Sequence, residues 1–176
     1  MNPRYLTAAL FVLLAATNAV RADKLVLIAG GGSESANGPA TSVKLIQPFG
    51  IDFDKAGNYY LVELTGGRAF KVDPKGMLTR IGGTGKKGDG GDGGPALDAT
   101  FNGMHSLAVT PDGTLYAGDT WNNRVRKIDP KTGAIAAFAG TGKKGDSKPG
   151  GQALDADMGG IYCVAFNADF SKLYLT

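Results

Sequence analysis

Gly83-Thr84-Gly85-Lys86-Lys87-Gly88-Asp89 returns as Gly140-Thr141-Gly142-Lys143-Lys144-Gly145-Asp146, 57 residues further on. A fixed displacement of this size marks a repeat whose unit is one small supersecondary structure. Ala96-Leu97-Asp98-Ala99 returns as Ala153-Leu154-Asp155-Ala156 with the same displacement. Upstream, Gly57-Asn58-Tyr59-Tyr60 matches Gly113-Thr114-Leu115-Tyr116, and Asp73-Pro74 matches Asp129-Pro130, both 56 residues apart.

Within one unit, turn chemistry separates short apolar runs. Thr110-Pro111-Asp112-Gly113 is a turn in which proline presets φ and glycine accepts a positive one. The runs around it predict strands at 106–109, 114–119, 124–128 and 134–138. The preceding unit predicts strands at 50–53, 58–63, 68–72 and 78–81 in the same order. Alternation is imperfect in each third strand, so turns and repetition carry the assignment as much as periodicity does. Four antiparallel strands per unit, with no helical pattern beyond the first residues, predict an all-β protein built of β-propeller blades. A right-handed solenoid of strands is the competing architecture, but solenoid coils are shorter than this repeat.

Asp119-Thr120-Trp121-Asn122-Asn123-Arg124-Val125-Arg126-Lys127 resembles the signature segment of the NHL-repeat β-propeller family. The glycine-rich stretch from Gly88 to Ala96 is similar to the connections between blades in exported bacterial members. This resemblance covers nearly all of the chain after its first residues, and it implies a fold rather than an activity. The first unit departs from the pattern: Glu63-Leu64-Thr65-Gly66-Gly67-Arg68 keeps the acid and the arginine but loses the asparagine. Units fall at about 45–82, 103–140 and 160–176, the last incomplete. Ile28-Ala29-Gly30 matches Phe138-Ala139-Gly140, so 24–30 reads as the outer strand of a closing blade. Two complete blades plus parts of two others are expected.

Arg4 precedes an apolar run at 6–16, and Val20-Arg21-Ala22 fits a small-x-small cleavage pattern. The run is too short to cross a bilayer, so residues 1–22 are expected to be a signal peptide and the remainder, 23–176, a secreted or periplasmic chain. Cleavage removes two of the 19 basic residues and none of the 16 acidic ones, leaving a charge of about +1. That balance argues against a nucleic-acid partner, which would select a basic footprint. It equally gives no reason to expect adsorption to a membrane, and no membrane span is expected after cleavage. The single Cys163 cannot form an intramolecular disulfide, and its apolar neighbours predict a buried strand thiol.

Glu63 with Arg68, and Asp119 with Arg124, flank four-residue connections, so a hairpin would set each acid across from its arginine. Recurrence in successive units makes Glu63, Arg68, Asp119, Asn122 and Arg124 structural candidates rather than ligand contacts. Gly83-Thr84-Gly85-Lys86-Lys87-Gly88 satisfies G-x-G-x-x-G, but residues 89–95 cannot start the helix that dinucleotide binding needs. Asp89 and Asp92 are the candidate metal ligands, with calcium the fitting cation, although Lys86 and Lys87 oppose it and the copied loop loses the second acid. Trp121 is the candidate binding residue, set against packing over the neighbouring arginine.

No nucleophile is assembled with a base, and no catalytic residue is assigned. A scaffold binding protein, peptide or glycan is therefore the expected function. The alternative is a metal-dependent lactonase- or lyase-like enzyme, which the resemblance also allows. Metal-dependent amidating lyases, which resemble such propellers, use several histidines, and His105 is the only one here.

Overall fold

The computed structural model describes residues 25–34 and 37–176; the expected signal peptide at 1–22 lies outside the described residues. The chain opens with the two-residue strand β1 (Gly38–Pro39), followed by β2 (Pro48–Phe53), β3 (Tyr59–Glu63), β4 (Ala69–Val72) and β5 (Met77–Gly82). These five form one antiparallel sheet in the order β1-β5-β4-β3-β2. The second sheet is β6 (Met104–Val109), β7 (Leu115–Asp119), β8 (Arg124–Ile128) and β9 (Ile135–Ala139), in that order. The hairpin β10 (Val164–Phe166) and β11 (Leu173–Leu175) begins a third.

Local chemistry explains where each strand ends. The Asp54 carboxylate accepts the backbone N–H groups of Ala56 and Asn58, both at 2.9 Å, and so closes the β2–β3 turn. Thr110 and Asp112 hold the corresponding turn of the second sheet. Each meander repeats the other, and the sheets are separate antiparallel units rather than coils of a solenoid. The architecture is that of β-propeller blades.

β2, β6 and β10 lie side by side as the first strands of their blades, and β6 packs against both of the others. The Asp52 carboxylate reaches across to the backbone N–H of Val109 at 2.7 Å, pinning the first blade to the second. Between these blades Val62, Phe101, Met104, Leu107, Leu115 and Ile135 form a buried cluster. Each such side chain contributes about 1.5–3 kcal/mol by leaving water. A second cluster around Ile161, Val125 and Val164 joins the second blade to the third. Ala40, Val43, Phe70 and Leu78 bury the other face of the first blade under the incoming chain.

Two differences from expectation concern the ends. β1 pairs with β5 through Gly38 and Leu78, so the first blade's outer edge carries a short fifth strand. Residues 25–30 form no strand; Leu25, Val26, Leu27 and Ile28 are exposed, tied down by Tyr59 donating to the Ile28 carbonyl. Cys163 is exposed rather than buried. It precedes Val164, whose side chain packs toward the second blade, and alternation along the strand turns Cys163 to the opposite face.

Candidate functional site

The chain returns to the same end of the molecule at the start of each inner strand, and there each blade presents one ring. Phe49 in β2, His105 in β6 and Tyr162 just before β10 occupy the same repeat position, 56 and 57 residues apart. Because the inner strands are adjacent, the rings meet. Phe49 and His105 lie edge to face with centroids 5.0 Å apart, and Tyr162 tilts against His105 at 4.7 Å. Phe49 and Tyr162 remain well exposed.

Trp121 joins this group from the single 3-10 turn Thr120–Asn122 that links β7 to β8. Its ring lies 5.6 Å from His105, edge to face, and covers Gly103. It therefore packs on Gly103 and His105, not over the neighbouring arginine as the sequence suggested. A side chain at 103 would collide with the indole, since an added Cβ would sit 2.4 Å from Trp121 Cδ2. The indole is 46% exposed, enough to meet a ligand while held from beneath.

His105 has a fixed orientation. Its Nδ1 lies 3.0 Å from both the Gly103 carbonyl and Thr120 Oγ1. A carbonyl only accepts, so Nδ1 carries the hydrogen, and Thr120 passes its own hydroxyl hydrogen to the Ile161 carbonyl. Nε2 makes no hydrogen bond among the described residues.

Beneath the rings, the repeated turn rests on acid–arginine pairs that differ between blades. Arg68 donates to both oxygens of Glu63, through Nε at 2.7 Å and Nη2 at 2.6 Å, with both side chains buried. Gly66 makes room for this, because an added Cβ would lie 2.1 Å from Glu63 Oε2. The same carboxylate accepts the Ile46 N–H, fixing the approach to Phe49. In the second blade, Asn122 donates to Asp119 at 2.9 Å, while Arg124 Nε stands 3.7 Å away. Arg126, fully buried, approaches Asp119 equally at 3.7 Å. Burial pushes the Asp119 carboxyl above its usual range, and the Asn102 N–H, Asn122 and the two guanidiniums offset only part of that.

The loop acids have a different role from the one their clustering suggested. Asp92 accepts from Arg126 Nε at 2.9 Å and from Arg124 Nη1 at 3.1 Å, and Arg124 also donates to the Asp89 carbonyl. Arg126 further binds the carbonyls of Thr100 and Gly90, and its guanidinium lies 4.8 Å over the Phe101 ring. Asp92 is thus committed to two guanidiniums that fasten the glycine-rich connection to the second blade. Among the described residues, no group of three or more His, Cys, Asp or Glu side chains converges on a common point.

Sequence reasoning missed Arg126 and the ring group. The first could have been read from Arg124-Val125-Arg126, which places two arginines on one face of a strand. The second was present in the repeat alignment, where Phe49, His105 and Tyr162 share a column.

Comparison with known proteins agrees with the geometry. The NHL repeat family matches residues 101–128, from just before β6 to the end of β8. Human teneurin-1 is 58% identical over 38 residues, 22% of this chain and 1% of its own length. NHL repeat-containing protein 2 of Gallus gallus is 31% identical over 109 residues, covering 61% of this chain and 14% of its own. The chain thus spans a small part of these relatives. A crystal structure of a Bacteroides thetaiotaomicron protein of unknown function superposes with a TM-score of 0.62 at 19% identity, over 73% of this chain and 32% of that one. The sequence match and the meander geometry agree: residues 101–128 match the NHL repeat, and the sheets have the form of β-propeller blades.

Proposed function

We propose that this chain is the binding part of an exported propeller protein, and that the face bearing Phe49, His105, Tyr162 and Trp121 takes a protein, peptide or glycan. The observation that carries this is the meeting of three rings at one repeat position, Phe49 and Tyr162 exposed and His105 half-buried between them, braced by the exposed Trp121. Rigid aromatic side chains with polar tips are favoured at binding hot spots because they bury large areas at small entropic cost. Export is supported by the leader-like pattern at 1–22.

The test is capture on arrays of peptides and of oligosaccharides, probed with the chain and with a Phe49→Ala/Tyr162→Ala variant. Ligands retained by the chain and weakened about tenfold or more in the variant support the proposal. An empty array, or captured ligands that bind the variant equally, overturns it.

A further inference from the structure

At the other end of the blades, a cavity of about 350 Å³ lies between the first and second sheets. Tyr60, Ile81, Leu97 and Ile128 supply apolar walls, Gly113 forms part of the floor, and Lys71 stands at its edge. The volume falls in the range of small-molecule sites.

The next gap shows what such a space accommodates. Between the second and third blades, Tyr116 packs edge to face on Phe138 at 4.8 Å and on Phe166 at 5.0 Å, and Phe166 meets Phe170 at 5.6 Å. Tyr116 is the repeat counterpart of Tyr60, and Phe138 of Ile81. Phe170 stands where Gly113 stands: each has a positive φ, and each donates its N–H to the first residue of its turn. The gap that is filled by phenylalanine rings in one place is lined by isoleucine and glycine in the other. Its missing volume is that of aromatic rings.

Lys71 adds a charge. Its Nζ lies 6.0 Å from the centre of the Tyr60 ring, and it pairs with no carboxylate among the described residues. Asp129, which also lines the cavity, turns its carboxylate to the N–H groups of Lys131 and Thr132 in its own turn. Tyr60 donates its hydroxyl to Asp54, so its polar tip is engaged and the buried ring forms part of the cavity wall.

We infer that this gap is a binding site for a small aromatic carboxylate, with the ring between Tyr60 and Ile81 and the acid group on Lys71. The site is independent of the aromatic face at the opposite end. Calorimetric titration with 2-naphthoate and with neutral 2-naphthamide tests it, on the chain and on Ile81→Phe and Lys71→Met variants. Naphthoate is expected to bind the chain about fivefold or more tighter than the amide, since an ion pair at a partly buried site favours the charged form. Lys71→Met should erase that preference. Ile81→Phe should weaken both ligands about tenfold while leaving the thermal transition unchanged or higher, because it restores the packing of the next gap. Absence of naphthoate binding, equal affinity for acid and amide, or undiminished binding by a folded Ile81→Phe chain would each overturn the inference.

Discussion

Arg68 holds both carboxylate oxygens of Glu63, at 2.7 and 2.6 Å, whereas Arg124 reaches the equivalent Asp119 only at 3.7 Å. One repeat motif thus performs two mechanical tasks. In the first blade it locks its own turn; in the second it fastens the loop that carries Asp92. Arg68→Ala leaves a buried carboxylate without its cation and is expected to cost about 3–5 kcal/mol. Arg126→Ala should cost a similar amount, because Asp119 and Asp92 both lose a partner. Arg124→Ala should cost less, about 1.5–3 kcal/mol, with Arg126 still in place. Urea unfolding of the three variants checks the order, and an Arg124 variant less stable than the other two would contradict it.

Acid should act through the turns. Partial burial alone would raise the Asp54 carboxyl, but bonds from Asn58, Tyr60 and Ala56 outweigh it and hold the carboxyl below its ordinary 3.8. A depressed value in the folded state means a stabilisation present above the unfolded value and lost as pH falls through the folded one. Asp112, Asp129 and Asp169 are lowered likewise by bonds within their own turns. Thermal melts between about pH 2.5 and 7 should show the gap between the chain and Asp54→Ala closing below pH 3.8. A constant gap across that range would show that the charge of Asp54 is irrelevant to the turn.

Gly103 supports Trp121 by having no side chain and by holding φ at +72°. Gly103→Ala should destabilise the chain by about 1 kcal/mol or more through backbone strain, and should also displace the indole. Trp121 is the only tryptophan, so its fluorescence reports the displacement directly. An unchanged emission spectrum in a folded variant would contradict the packing described.

The thiol of Cys163 is exposed, with Val164 rather than the cysteine facing the second blade. A disulfide-exchange reagent should therefore label the native chain at a rate close to that of the urea-unfolded chain. Labelling that waits for unfolding would show the thiol covered.

Strand positions were legible because the turns between them use residues with specific backbone preferences. Pro111-Asp112-Gly113 and Asp54 with Gly57 fix hairpins with little help from the rest of the chain. Glu63 and Arg68 were legible as a pair for the same reason, since a four-residue connection leaves them opposite each other. Cys163 was misjudged because apolar neighbours do not say which face of a strand has a sheet over it. Arg126 escaped because a buried arginine is identified by its distant partners, here Asp92 and the Thr100 carbonyl, more than 25 positions away. The extra pairing of Gly38 with Leu78 had no sequence signal at all, since two residues carry no periodicity.

Polypeptide 56 to 57 residues apart forms like sheets packed face to face. Gly50 lies against the next blade so closely that an added Cβ would meet Ser106 Cα and Leu107 Cδ2 at 3.0 Å. Nuclear Overhauser contacts from the Gly50 α-protons to the Ser106 α-proton and the Leu107 methyls should therefore be strong in the folded chain. Their absence, with the hairpin contacts within each sheet intact, would show that the blades form but do not stack as described.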